Sequence, residues 1–277
     1  MIVYNSTKSG FVSDVMSGRI ETIVEENFIV KLNRRVAKSE KRSWANSMKD
    51  MCLVLQGDYS IHNDCGVAIE FTLPPTSKRI DFLISGVDEF QKSSVIIIEL
   101  KQWEKCERTQ LDAIVRTYLG GSIRETIHPS YQAHSYQTTL SDFNNVVYSG
   151  EVSLQSCAFF HNMVEEDQIR HPHYSSYIGE SPVFLKTEMK QLQEYISNSF
   201  IYGDKGIAIK KIENGRIKPS VALSKEISKI LKGNKSFTLL DDQKLVYEKC
   251  LEKALSYYGR KNVVIVRGGP GTGKSVV

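Results

Sequence analysis

Cysteine is sparse and unpaired in this chain. The five residues, Cys52, Cys65, Cys106, Cys157 and Cys250, are odd in number, widely spaced and contain no CxxC pair. Such usage argues against a disulfide framework or a zinc knuckle and suits a reduced, cytoplasmic setting. No run reaches the ~18 apolar residues of a membrane helix, and the opening MIVYNSTKSGFVSD lacks the apolar centre of a signal peptide, so no membrane partner is expected. Internal repeats and low-complexity tracts are missing too. Charge of one sign is not in large excess: the net value of +4 tolerates an anionic partner without demanding one. What is present is apolar sequence, 41% of 277 residues, enough for one large domain and a further fragment.

The stretch RIDFLISGVDEFQKSSVIIIELKQW, Arg79 to Trp103, reads as two strands joined by a loop, with Asp81 on the first and Glu99 and Lys101 ending the second. If the pairing is antiparallel and the loop centres on Phe90, Asp81 faces Glu99. Opposed residues hold their Cβ atoms ~4.5–5.5 Å apart, and like charges so placed repel. A cation is expected between them, and Mg²⁺ commonly takes only one or two carboxylates from protein. The run SVIIIEL is the unbroken β-branched sequence of a strand covered on both faces. A plain salt bridge at a strand end is the competing reading of Glu99 and Lys101.

Other segments add candidates. Ile20, Ile23, Val24, Phe28 and Leu32 predict a helix from Ser17 to about Arg35, and Ser39 to Leu55 a second. Across them Lys31, Arg34, Arg35, Lys38, Lys41 and Arg42 recur at steps of three and four, as a phosphate-tracking stripe or a solvated face. Glu40 is a candidate accessory acid. In the strand VAIEFTL, Glu70 interrupts an apolar run and needs a partner if buried. A helix capped by Ser130 would place Gln132 and Tyr136 on one face. LQSCAFF is a further strand ending near His161, read as structural; His171 and His173 read as loop residues. The segment Glu107 to Ile127 reads as a loop with a short helix or an extra strand. Glu188 to Phe200 predicts a helix, IAIKKI with Asn214-Gly215 a hairpin turn, and Pro219 to Lys235 a short helix.

Near the end, KNVVIVRGGPGTGKSVV carries a strand, Val263 to Val266, running into Gly268-x-x-x-x-Gly273-Lys274-Ser275. In this P-loop pattern the glycines, Gly271 among them, let backbone N–H groups wrap phosphates, the lysine reaches the terminal phosphates and the serine holds Mg²⁺. The helix that should receive the phosphate and a second acidic motif do not follow, so negligible ATP hydrolysis is expected of this chain.

The hairpin resembles the PD-(D/E)xK nuclease superfamily, whose motif maps onto Asp81, Glu99 and Lys101, with Ile80 where the family places proline. Gln132 and Tyr136 resemble the QxxxY helix of RecB-like members. The tail from Phe237 is similar to the start of a superfamily 1 helicase, and FTLLDDQ resembles the segment whose glutamine, here Gln243, reads adenine. Together they resemble the bacterial Schlafen group 3-like DNA/RNA helicase proteins, fusions associated with phage defence. The resemblance implies an α/β fold: a restriction-endonuclease-like mixed sheet flanked by helices over 1–205, a linker or accessory segment over 206–236, and the truncated start of a P-loop helicase domain over 237–277. It further implies a nuclease acting on nucleic acid, DNA ahead of RNA, with Mg²⁺ or Mn²⁺ held by Asp81, Glu99, the Leu100 carbonyl and Glu70. Lys101 would orient or deprotonate water, Gln132 and Tyr136 would position the strand, and ATP would serve the full-length protein. A binding module without catalysis, or an assembly platform that forms an oligomer, are the rival expectations.

Overall fold

The β-branched run of Ser93–Lys101 forms the strand next to which both halves of the main sheet are laid. In this computed structural model the described residues are 1–33, 37–57, 60–74, 76, 78–221, 238–256 and 263–269, with only the backbone described at 32 and 38–40. In chain order the elements are β1 (Ile2–Thr7), α1 (Lys8–Met16), α2 (Ile20–Leu32), α3 (Lys38–Gln56), β2 (Gly66–Thr72), β3 (Arg79–Val87), β4 (Ser93–Lys101), β5 (Glu107–Arg108), β6 (Ile114–Leu119) and β7 (Ser122–Ile127). There follow α4 (Pro129–Phe143), α5 (Asn145–Tyr148), β8 (Val152–Phe160), α6 (Ser175–Glu180), β9 (Val183–Leu185), α7 (Met189–Ser199), α8 (Ile207–Asn214) and α9 (Asp241–Leu255).

The main sheet has the order β1-β2-β3-β4-β8-β9. Its first four strands pair antiparallel, while β4–β8 and β8–β9 are parallel. The fold is therefore α/β, a mixed six-stranded sheet flanked by helices. One face packs Phe82, Ile84, Ile96 and Ile98 against Phe28, Trp44, Met51 and Leu55 of α2 and α3. The other packs Val95 and Ile97 against Tyr136 and Leu140 of α4 and Ile209 and Ile212 of α8. A strand buried on both faces must be apolar throughout, which is why β4 reads as it does.

The hairpin registers as expected. Phe82 pairs with Ile98, Ile84 with Ile96 and Gly86 with Ser94, the register that the loop midpoint implies, and the pairing ends at Phe82–Ile98, one residue short of Asp81 and Glu99. The helix expected from Ser17 begins at Ile20, because Gly18 at φ +69° breaks it from α1, and its end is capped by left-handed Asn33. Helix α4 is capped two residues earlier than expected, by His128, whose Nδ1 accepts the Ser130 N–H at 3.2 Å. Its Nε2 meets the Ile169 carbonyl at 2.8 Å, and burial lowers the imidazole pKa to about 4. The ambiguous 107–127 segment is a small antiparallel sheet, β5-β6-β7.

IAIKKIEN, expected as a strand and hairpin, is the helix α8. Ala208, Ile209 and Ile212 fall on one buried face, and Asn214-Gly215 ends the helix instead of turning a hairpin. Asp204 holds its start: Oδ2 accepts the Ala208 N–H at 2.8 Å, and Oδ1 accepts the Gly206 N–H at 2.9 Å and the Ser85 hydroxyl at 2.7 Å. The chains touch closely there, since a Cβ on Gly66 would lie 2.3 Å from Gly206 Cα. Residues 263–269 are not a strand, and Val263 to Val266 are exposed. A strand needs a paired neighbour for its backbone groups, and this stretch joins neither of the two sheets among the described residues. Most of the helix expected over Pro219 to Lys235 lies outside the described residues, as do Gly271, Gly273, Lys274 and Ser275. No helix among the described residues is long and apolar enough to cross a membrane.

Candidate active site

At the far end of the β3–β4 hairpin the ladder stops pairing, and side chains take over its hydrogen bonds. Asp81 Oδ2 accepts the Leu100 N–H at 2.9 Å. The carboxylate thus bonds across to the backbone of the neighbouring strand while remaining close enough to the Glu99 side chain to interact with it. The alternation of β3 changes phase at this point: Ile80 belongs to the α4-side core and Phe82, two residues on, to the α3-side core.

The same happens next door. Glu70 on β2 adopts φ +57°, and the register runs undisturbed on both sides of it, Ile69 with Phe82 and Phe71 with Ile80. This is a local twist and not a bulge, since no extra residue is inserted. A left-handed non-glycine residue costs on the order of 1–3 kcal/mol and persists only where its surroundings hold it. Here Glu70 Oε1 accepts the Trp44 indole N–H at 2.7 Å and Oε2 pairs with Arg79 Nε at 2.9 Å. Arg79 in turn lies over the Phe28 ring, 4.9 Å from its centroid. Glu70, a candidate metal acid by sequence, is committed to this clamp. It shares with Asp81 a cavity of about 180 Å³ floored by Leu100 and walled by Ser43, Trp44, Ser47 and Met48.

Glu99 is 2% exposed. Its Oε1 receives Lys101 Nζ at 2.6 Å, while Oε2 is buried with no hydrogen-bond partner among the described residues. Burial raises the Glu99 carboxyl well above the usual range, and the Asp81 charge raises it further, against Lys101. Asp81 is also raised by burial, with Lys101 and the Leu100 N–H opposing. Burial pulls Lys101 down, but Glu99 and Asp81 outweigh it and hold the amine above its ordinary value. Its Nζ also lies 5.6 Å from the Trp103 ring centroid. The cation expected between the carboxylates is supplied first by Lys101.

Gln132 and Tyr136 do share one side of α4. Gln132 Nε2 donates to the Tyr136 hydroxyl at 2.9 Å, and that hydroxyl donates to Asp241 Oδ2 at 2.7 Å. Burial, with the charges of Glu99 and Asp241, pushes the Tyr136 phenol far up, so it remains a donor. Asp241 was not a sequence candidate, yet its charge reaches both Glu99 and Lys101. No local pattern marks it; only the docking of α9 brings it here.

The donor types suit a hard divalent cation: two carboxylates, one with an orphaned buried oxygen. Among the described residues no three His, Cys, Asp or Glu side chains are grouped to hold a metal together. A cation here would complete its shell with water, as Mg²⁺ commonly does.

The other candidates lie elsewhere. His161 is structural, with Nδ1 2.8 Å from Asp50 and Nε2 3.1 Å from Ser47 Oγ. His171 caps a 3₁₀ turn at Pro172–Tyr174, and His173 lies within that turn. Of the basic stripe, Lys31 Nζ donates to the Ile2 carbonyl at 2.8 Å, Lys41 pairs with Glu25, and Arg42 is exposed. Arg34, Arg35 and the side chains of Lys38 and Glu40 lie outside the described residues. Gln243 Oε1 accepts the Leu240 N–H at 3.0 Å, capping α9, and Gly268 lies in the exposed 263–269 stretch. No family model, curated protein or solved structure matches the chain.

Proposed function

We propose that the chain is a metal-dependent nuclease domain that hydrolyses nucleic-acid phosphodiesters, DNA ahead of RNA, and that it belongs to a cytoplasmic nuclease–helicase protein of phage defence. The observation that carries the reading is the buried Asp81–Glu99–Lys101 group, with Glu99 Oε2 orphaned and its charge felt by Tyr136, the hydrogen-bond partner of Gln132. A buried carboxylate pair is costly to ionise, and a fold that keeps one invites a cation. The helicase part, with ATP held by the P-loop and Gln243, belongs to the same proposal.

Mg²⁺ or Mn²⁺ held by Asp81, Glu99 and the Leu100 carbonyl would supply Lewis-acid polarisation of the scissile phosphate. The chain's own groups do the rest. The Leu100 N–H fixes the Asp81 carboxylate in one orientation. Lys101, held protonated by its carboxylate neighbours, acts as a donor that offsets negative charge developing on the phosphorane, and not as a base. Tyr136 and Gln132 offer an O–H and an amide N–H to the strand. A groove of about 700 Å³ adjoins Trp103 and carries Lys105, Arg116 and Tyr118, cationic and aromatic groups of the kind that hold single strands.

The test is cleavage of labelled single-stranded and plasmid DNA with Mg²⁺ or Mn²⁺ by wild type, Asp81→Asn and Lys101→Met. Cutting by the wild type alone is expected. Binding without metal-dependent cutting would leave a nucleic-acid-binding module.

A further inference from the structure

Three donors converge on one oxygen at the edge of the candidate site, and the oxygen they hold belongs to Asp241. Its Oδ2 receives the Tyr136 hydroxyl at 2.7 Å, Lys78 Nζ at 3.4 Å and Gln132 Nε2 at 3.5 Å. The residue is 6% exposed, and its Oδ1 is buried without a hydrogen-bond partner among the described residues. A carboxylate oxygen ringed by a hydroxyl, an ammonium and an amide occupies the environment a phosphodiester oxyanion would take.

We propose that Lys78, Gln132 and Tyr136 form a phosphate subsite for a nucleic-acid strand, and that Asp241 fills it in the resting chain as a carboxylate stand-in. The proposal rests on the nuclease reading for the identity of its ligand. Asp241 is carried by α9, outside the sheet domain, and α9 is docked by contacts that ring the subsite. The Tyr131 hydroxyl donates to the Leu239 carbonyl at 2.7 Å, and Lys244 bridges Asp112 at 2.6 Å. Lys249 pairs with Glu125, and Leu240 and Leu245 pack on the two adjoining apolar clusters. The Lys249–Glu125 pair is partly exposed and exchanges for water at small cost, while Lys244 and Tyr131 are buried in the docked state. A strand phosphate and Asp241 cannot share the same donors, and their like charges repel. Binding of the strand therefore requires α9 to move away, and the site opens when the segment that follows the sheet domain is drawn off.

The experiment measures equilibrium binding of a short fluorescein-labelled single-stranded DNA to the full chain by anisotropy in EDTA, where no metal-dependent cutting interferes. Asp241→Ala and the near-isosteric Asp241→Asn should each bind about tenfold more tightly than wild type, a change of ~1.4 kcal/mol. Glu89→Gln removes the same charge from an exposed residue in the β3–β4 loop, at the far end of the hairpin from the site, and should bind like wild type; Asp242 is no such control, because its Oδ2 lies 2.7 Å from Lys78 Nζ. Adding Lys78→Met to Asp241→Ala should abolish the gain. Unchanged or weaker binding by both Asp241 variants overturns the proposal, as does an equal gain from Glu89→Gln. Cleavage with Mn²⁺ is scored separately: if no protein cuts, the nuclease reading fails, while the binding series alone decides the subsite.

Discussion

Lys101→Met removes the ammonium bonded to Glu99, which with the more distant Arg79 offsets the charge of two buried carboxylates, and its cost can be worked from the geometry. With Nζ 2.6 Å from Glu99 Oε1, a Coulomb attraction at an effective dielectric of ~20 is about 6 kcal/mol. The full amount is not lost, because Glu99 and Asp81 can take up a proton once the ammonium is gone. Removing one partner of a buried pair costs about 3–5 kcal/mol, and that is the expected loss at pH 8 without metal. The sign of the pH dependence follows. Both carboxyls are already raised in the folded chain, and loss of Lys101 raises them further, so folded stability is retained at low pH and lost as pH rises. The deficit should shrink towards the ordinary carboxylate range near pH 4. Urea denaturation of wild type and variant from pH 4.5 to 8, in EDTA, gives the difference. A deficit that is small at pH 8, or the same at every pH, refutes the account of the site as a buried carboxylate pair held chiefly by Lys101.

The wild type itself should lose stability in EDTA as pH rises through the raised Glu99 titration, and Mg²⁺ should restore it, by ~2.7 kcal/mol at a hundred times its Kd; thermal scans with and without Mg²⁺ that show no pH-dependent gain contradict this. Trp44→Phe takes the N–H from Glu70 Oε1, leaving a buried acceptor short of a donor at a cost of about 1–3 kcal/mol in chemical denaturation, on top of the loss from the smaller ring in the core. Asp204→Ala strips four hydrogen bonds, two that reach β2 and β3 and two that hold the start of α8, and should cost about 2–4 kcal/mol. A loss from Asp204→Ala below that from Asp242→Ala at the surface would mean that α8 is held by its apolar face alone.

The parts of the site that are local in sequence were legible, and the parts that depend on docking were not. The hairpin could be placed because SVIIIEL is apolar without a break and the loop has a clear midpoint, which together set the register of the hairpin that carries Asp81 and Glu99. The phase change at Asp81 and the left-handed Glu70 have no sequence mark; they follow from Trp44 and Arg79 reaching Glu70 from α3 and β3. IAIKKIEN fits a period of two as well as one of 3.6, and Asn-Gly turns a hairpin or ends a helix, so only packing against the sheet decided for α8. Asp241 reads from its surroundings as part of the helicase-like segment, and 105 residues separate it from Tyr136. Val263 to Val266 read as a strand from composition, but a strand is defined by its neighbour.

The central claim is that Asp81, Glu99 and Lys101 cut phosphodiester bonds with a divalent cation, and the most direct measurement is single-turnover cleavage of an end-labelled DNA strand in Mn²⁺ or Mg²⁺. The account predicts cleavage by the wild type, none in EDTA, and a loss of about a hundredfold or more in Asp81→Asn and Lys101→Met, the scale of a removed electrostatic stabiliser. Cleavage that persists undiminished in both variants, or a folded wild type that binds the strand with metal and never cuts it, would contradict the claim.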